Sequence, residues 1–391
     1  MKYDLLVVGA GIFGLTIAER AANELGQNVL VVDKRDHIGG NCYSEFDPDT
    51  GIECHKYGAH LFHTSDQRVW EYVSRFSDFT DYVHKVYTTH NGEVFPMPIN
   101  LGTINQFFRT AMTPDEAKAK IIEQSVELGD KQPTNLVEQG VSLIGRPLFD
   151  AFIKNYTAKQ WQTPAEELSP EIIKRLPVRY NYDNRYFNDA YEGLPVGGYG
   201  QLFSNMVDAG NAGDGSITVR LKTDYFTDND VQKLRESGIR TIYTGPIDRF
   251  FDYKLGELQW RSLDLVREVV DTADFQGCPV MNYADLTPKY TRILEFKHFH
   301  PERLGDPKYP GYGGDKTVIV REYSKTWARG DEPYYPVNTA ADQEKLAKYR
   351  ELADREENVI FGGRLGEYAY YDMDKTFAAA LDLFEKYLTK H

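Results

Sequence analysis

Cysteine is scarce: Cys42, Cys54 and Cys278 are the only three in 391 residues. Three thiols cannot build a disulfide framework, and without a CxxC pair they supply neither a redox dithiol nor a cysteine-based zinc site. Long apolar runs are missing too, and nothing approaches the roughly eighteen residues that a membrane-spanning helix needs. The N-terminus leads from a short strand, Leu5-Leu6-Val7-Val8, straight into glycines, with no basic segment before a longer apolar run. A signal peptide is therefore not expected, and the chain reads as cytoplasmic. Positive charge is in deficit. Lys and Arg number 45 against 59 Asp and Glu, a formal charge of −14, which repels nucleic acid and anionic membranes as bulk partners. A small anionic ligand then requires a few arginines gathered locally.

Tyrosine, by contrast, is plentiful at 27 residues. Its flat face and hydroxyl suit sugar and nucleobase recognition, although packing within sheets is the default role for most of them. With 41% hydrophobic and 27% charged residues, the chain has the composition of a globular protein of two or three domains.

Tyr3 to Val8 reads as a buried strand, Gly9 to Gly14 as a glycine loop, Leu15 to Leu25 as a helix ended by Gly26, and Val29 to Val32 as a second buried strand. Strand, helix and strand in this order belong to a parallel sheet. Thr113-Pro114-Asp115-Glu116 is a capped helix start. Amphipathic stretches follow at Asn135 to Gly140 and Pro147 to Lys159, and helix-start chemistry recurs at Thr163 and Ser169. Residues 177–200, rich in Pro, Gly, Asn and Tyr, read as loop and antiparallel sheet. Strands are expected again near residues 217–221, 241–243, 259–263, 290–296, 317–321 and 358–361, with helices at 340–356 and 373–387. The expected fold is α/β. A discontinuous Rossmann-like domain (1–78, 201–249, 355–391) carries a helical insertion (101–176) and an antiparallel sheet domain (79–100, 177–200, 250–354).

Gly9-Ala10-Gly11-Ile12-Phe13-Gly14 matches GxGxxG, and it follows a strand and opens a helix, the context that gives the pattern meaning. The glycines allow a tight turn (Gly9), approach to a pyrophosphate (Gly11) and close helix–sheet packing (Gly14). Asp33, ending the second strand, is placed for ribose hydroxyls. Gly39-Gly40 soon after resembles the extended FAD motif of glutathione-reductase-like and amine-oxidase-like flavoproteins. No second glycine fingerprint in the same context follows, so no built-in NAD(P)H domain is expected.

Six further segments, in order, resemble the bacterial UDP-galactopyranose mutases over nearly the whole chain. They are Tyr57-Gly58-Ala59-His60-Leu61-Phe62-His63-Thr64, Tyr156-Thr157-Ala158-Lys159-Gln160-Trp161, Leu176-Pro177-Val178-Arg179-Tyr180-Asn181-Tyr182, Tyr290-Thr291-Arg292, Pro333-Tyr334-Tyr335-Pro336, and Gly362 to Gly366 continuing through Tyr370-Tyr371-Asp372-Met373-Asp374. Ala59 departs from the pattern, which has proline there in many members. The resemblance implies interconversion of UDP-galactopyranose and UDP-galactofuranose. The cofactor it implies is reduced FAD, whose N5 is the nucleophile at the galactose anomeric carbon with UDP leaving. An external reductant and a homodimer are implied as well.

The resemblance also assigns residues. Arg179 and Arg292 would hold the diphosphate with Tyr191, Tyr335 and Tyr370. Phe152, Tyr156, Thr157 and Trp161 would form the uridine region, with Arg261 and Asn282 nearby. His60 would lie beside the flavin ring, and Arg364 on the FAD pyrophosphate. Asp372 and Met373 would line the ribityl chain, while Phe13, Lys34, Gly40, Asn41, Tyr57 and Gly58 complete the cofactor site. No metal site is expected. Residues 169–182 would form a mobile lid tipped by Arg179. Without the resemblance, each arginine reads as a surface salt bridge, and Phe152 and Tyr156, four apart, as an aromatic core stripe. An FAD-dependent amine oxidase or desaturase, or a non-catalytic nucleotide-sugar sensor, shares the N-terminal fingerprint and stays open as an alternative.

Overall fold

The glycine fingerprint sits in a five-stranded parallel sheet of order Val359–Phe361, Arg240–Tyr243, Leu5–Val8, Asn28–Val32, Ser216–Arg220. The computed structural model describes residues 2–129, 131–174 and 176–388. Residues 130, 175 and 389–391, which fall within the expected helical insertion, lid and C-terminal segment, lie outside the described residues. Leu5, Leu6, Val7 and all of Val29 to Val32 are buried, because layers cover both faces of a parallel sheet and every strand side chain meets apolar neighbours. The helix Ile12–Leu25 crosses between the first two strands and ends at Gly26, whose left-handed backbone (φ 61°) closes the turn onto Ala21 O. The strand order reverses on either side of Leu5–Val8. In open α/β sheets such a reversal opens a crevice at the carboxyl ends of the strands.

A second sheet has seven strands, ordered Tyr335–Pro336, Trp260–Val270, Thr317–Thr326, Arg292–Glu295, Val280–Tyr283, Val86–His90, Glu93–Met97. It is not purely antiparallel as expected, for Val280–Tyr283 runs parallel to Val86–His90. Those strands are almost two hundred residues apart in the chain, so no local turn dictates their direction. Its two longest strands, Trp260–Val270 and Thr317–Thr326, are about twice the expected length.

The helical layer packs Leu101–Phe108, Pro114–Ser125 and Leu136–Leu148 around Ile104, Ile121, Val141, Ile144 and Phe149. The capping box at Thr113 forms as its spacing predicts, with Glu116 Oε2 accepting from Thr113 N at 2.8 Å. The stretch expected from Pro147 begins after a break at Gly145 (φ 76°), where the missing proline N–H is of no consequence. It then runs through a π-helical turn, Phe149–Lys154, into Asn155–Trp161. The helix starts at Thr163 and Ser169 yield only 3₁₀ turns, Ala165–Glu167 and Pro170–Ile173. Among the described residues no helix is long and apolar enough to cross a membrane.

Candidate active site

At the carboxyl ends of the parallel strands lies a cleft of about 890 Å³, walled by the glycine loop, the seven-stranded sheet and the helix Asn155–Trp161. All residues expected to hold a cofactor line it: Gly9, Gly11, Phe13, Gly14, Asp33, Lys34, Gly40, Asn41, Tyr57, Gly58, His60, Arg364, Asp372 and Met373. Gly11 caps the helix Ile12–Leu25 with no side-chain acceptor, and no acidic residue occupies the first turn. The open N–H groups and the positive end of the helix therefore face the cleft. A Cβ on Gly11 would meet only Gly40 Cα, at 3.7 Å, whereas one on Gly14 would run into the carbonyl of Gly9. Asp33 organises the loop, its carboxylate accepting from Ala10 N and Arg35 N at 2.8 Å each.

Arg35 lies 2.6 Å from Glu332, donates to Asn41 Oδ1 at 2.8 Å and covers the Tyr57 ring. Lys34 stands 3.7 Å from the same Glu332. Phe13 is buried beneath the Gly362-Gly363 turn that leads to Arg364. Arg364 donates to Tyr334 O at 2.5 Å and forms no ion pair among the described residues. Burial pushes its guanidinium down to about 10. His60 Nδ1 donates to Gly58 O at 2.8 Å, and burial pushes its pKa down to about 4. The ring is therefore neutral at working pH, with Nε2 left as an acceptor. Asp372 stands at the N-cap position of the helix Met373–Leu383 without a side-chain capping bond, and that N-terminus also opens at the cleft.

Beyond the glycine loop the cleft is lined by Tyr156, Asn282, Arg292, Tyr335 and Tyr370. Arg292 donates to Tyr156 Oη at 2.6 Å, and its Nε lies 3.3 Å from Glu322, its cross-strand partner. Burial opposes the charge, but Glu322, Tyr156 and Tyr335 prevail and hold the guanidinium well above its ordinary value. Tyr335 and Tyr370 stack at 5.7 Å. Burial pushes the Tyr335 hydroxyl up to about 12 and raises those of Tyr156 and Tyr370, so all three remain donors. Asn282 Oδ1 is buried with no hydrogen-bond partner among the described residues.

Six expected substrate residues lie elsewhere. Phe152 is buried against Phe95 and Phe107 in the helical core. Of these two residues four apart, Phe152 and Tyr156, only Tyr156 reaches the cleft. Thr157 is buried, and Trp161 packs on the same helical core. Arg261 is buried behind the cleft, donating to Thr326 Oγ1 at 3.0 Å and Gln160 O at 3.2 Å. Tyr191 stacks on Trp70 at 4.9 Å, outside the cleft. Arg179 lies outside the cleft. Its backbone N–H donates to Ile99 O, and its guanidinium is held by Asp183 O, Arg185 O and Asn188 Oδ1.

The cleft also contains residues that sequence reasoning passed over. Gln160, and not Trp161, lines it from the helix, and Tyr186 and Phe187 line it from the turn that holds Arg179. Phe187 stacks on His63 at 3.6 Å, and His63 in turn pairs with Asp189 at 2.8 Å. Burial, with Arg292 nearby, pushes His84 down to about 3. Only Glu322 had a usable signal, since continuing the alternation of Val318 and Val320 puts it on the same strand face.

A family model described as UDP-galactopyranose mutase matches residues 151–370, and one described as an NAD(P)-binding Rossmann-like domain matches residues 7–76. A probable UDP-galactopyranose mutase of Klebsiella pneumoniae is 41% identical, covering 99% of this chain and 95% of its own. A dTDP-fucopyranose mutase of Escherichia coli is 36% identical over 98% of each chain. Among solved structures, a reduced UDP-galactopyranose mutase superposes with a TM-score of 0.71 at 15% identity, over 99% of this chain and 94% of that one, a likeness of fold. With its dinucleotide loop and its arginine–tyrosine cluster opening into one cleft, and with full-length relatives at this identity, the chain belongs to the UDP-galactopyranose mutase family of isomerases.

Proposed function

We propose that the chain interconverts UDP-galactopyranose and UDP-galactofuranose with reduced FAD held in the cleft. Three features support a dinucleotide pyrophosphate at the glycine loop: the uncapped helix start, the free approach above Gly11, and Arg364 without an ion pair. Reduced FAD, when bound, supplies N5 as a nucleophile for the galactose anomeric carbon, with UDP as the leaving group. With no second nucleotide loop in the sequence, the electrons come from an external reductant. The working form is read as a homodimer.

The observation that carries this function is the continuity of the cleft from the glycine loop to Arg292. Arg292, oriented by Tyr156 and Glu322, takes up charge on the departing diphosphate, a task suited to a guanidinium with fixed donors. The phenols of Tyr156, Tyr335 and Tyr370 stay protonated and add neutral donors. Neutral His60 offers an acceptor on the cofactor side, and Phe187 over His63 helps to exclude water. Arg179 would join the diphosphate only if the turn holding it moved.

The test is dithionite-reduced protein given UDP-galactofuranose and followed by chromatography for UDP-galactopyranose. Conversion only under reduction is expected. A flavin-loaded protein that converts nothing overturns the proposal, and oxygen uptake with amines would then point to an oxidase. A parallel assay with dTDP-fucopyranose, the sugar nucleotide named for the Escherichia coli relative, decides the substrate if that compound turns over faster.

A further inference from the structure

Lys159 does not line the cleft. It sits on the helix Asn155–Trp161 between Tyr156 and Gln160, both of which do. Its Nζ lies 2.7 Å from Tyr283 O, 3.0 Å from Pro288 O and 3.0 Å from Tyr290 O. Three carbonyls match the three N–H donors of an ammonium. Tyr283 ends the strand Val280–Tyr283, which carries Asn282, and Pro288 and Tyr290 lie on the connection from it to Arg292–Glu295, which begins with Arg292. The same helix reaches the second of these strands through the 2.6 Å bond from Arg292 to Tyr156.

On the function proposed above, we infer that Lys159 is a positioning residue for nucleotide binding: its ammonium docks the helix onto the 283–290 connection and so sets where Tyr156 meets Arg292. A neutral amine has only two N–H donors, so one carbonyl would lose its partner and the connection would loosen. Burial pushes the pKa of Lys159 down to about 8, with Asp285 favouring the charged form and Lys289 opposing it. Charged groups on the elements packed around this helix are already engaged. Glu322 pairs with Arg292, Lys325 with Asp264 and Asp331, Lys154 with Glu166, and Arg146 with Glu127. An anionic nucleotide that needs the aligned pair favours the ammonium. Affinity is therefore full below about pH 8 and falls as pH rises through that value.

The experiment is calorimetric titration of UDP into the flavin-loaded, oxidised protein between about pH 6.5 and about pH 9, for wild type, Lys159→Met and Lys159→Arg. Wild type should bind tightly near neutrality and weaken several-fold across the alkaline range. Lys159→Met should bind about tenfold or more weakly at neutral pH, without alkaline loss and with its flavin retained. Lys159→Arg, charged throughout, should keep most of the affinity and lose the alkaline decline. Wild-type affinity in Lys159→Met overturns the inference. If that variant does not fold, the inference still fails should wild type show no alkaline loss, or should Lys159→Arg show the same loss. A wild type that binds no UDP at any pH instead overturns the proposed function, and the inference with it.

Discussion

Arg292 and Arg364 face one cleft from opposite surroundings. Arg292 is paired with Glu322 and bonded to Tyr156, so its direction is set before any ligand arrives. Arg364 has a backbone carbonyl and, among the described residues, no carboxylate partner, so its charge is left for an anion. Replacing Arg292 with alanine should therefore lower kcat/KM by about a hundredfold or more while flavin content, read by absorbance, stays at wild type. Lysine should rescue little, because a point charge cannot address Tyr156, Glu322 and a diphosphate at once. His60 makes a pH prediction. Burial lowers its folded pKa to about 4, below the ordinary 6.5, so an unfolded chain takes up the proton first. Stability from this residue is complete above about pH 6.5 and is lost as pH falls through 4. Thermal melts between these limits should decline with acid, and less steeply in His60→Asn.

Among the elements, the glycine loop and its helix separate folding from binding. A side chain at Gly14 meets the Gly9 carbonyl, whereas one at Gly11 makes only ordinary contact with the Gly40 backbone, at 3.7 Å from its Cα, on the side where the pyrophosphate would lie. Gly14→Val should destabilise the protein by about 1–3 kcal/mol or more, seen as a lower melting temperature. Gly11→Val should melt near wild type yet purify with little flavin, and equal flavin content in the two variants would contradict this division. The turn carrying Tyr186 and Phe187 raises a second question at this scale, since it holds the Arg179 guanidinium away from the cleft. If the turn opens during turnover, Arg179→Ala should reduce kcat by about tenfold or more. Turnover near wild type with saturating UDP-galactopyranose would leave Arg179 as a clamp on that turn alone.

Across the whole molecule, the parallel sheet and the seven-stranded sheet meet over the cofactor half of the cleft through Arg35 and Glu332. Glu332→Gln leaves Arg35 facing Arg364 without its carboxylate, and should destabilise the flavin-free protein by about 1–3 kcal/mol in thermal or denaturant unfolding. Added flavin, whose pyrophosphate supplies the missing negative charge, should recover part of that loss. The glycine-loop part of the cofactor half was legible in the chain because its residues are close in sequence and obey local rules: glycines where backbone must approach, and an aspartate ending the next strand. The substrate half was legible only in part. Tyr156, Asn282, Arg292, Tyr335 and Tyr370 reached the cleft, but Phe152, Thr157, Trp161, Arg261, Arg179 and Tyr191 did not, and Tyr186, Phe187, Gln160 and Glu322 went unnoticed. Phe152, four residues before Tyr156, ends in the helical core beside Phe95 and Phe107, and no local spacing announces it. The parallel pairing of Val86–His90 with Val280–Tyr283, and Lys159 gathering carbonyls from a connection more than a hundred residues away, arise only when distant segments pack. Sequence alone thus determined the parallel sheet and its dinucleotide loop, since backbone conformation and short-range periodicity encode them, and it pointed to the family through the six segments that resemble it. Tertiary structure decided which aromatic and basic side chains share the cleft, because that depends on how separate layers dock.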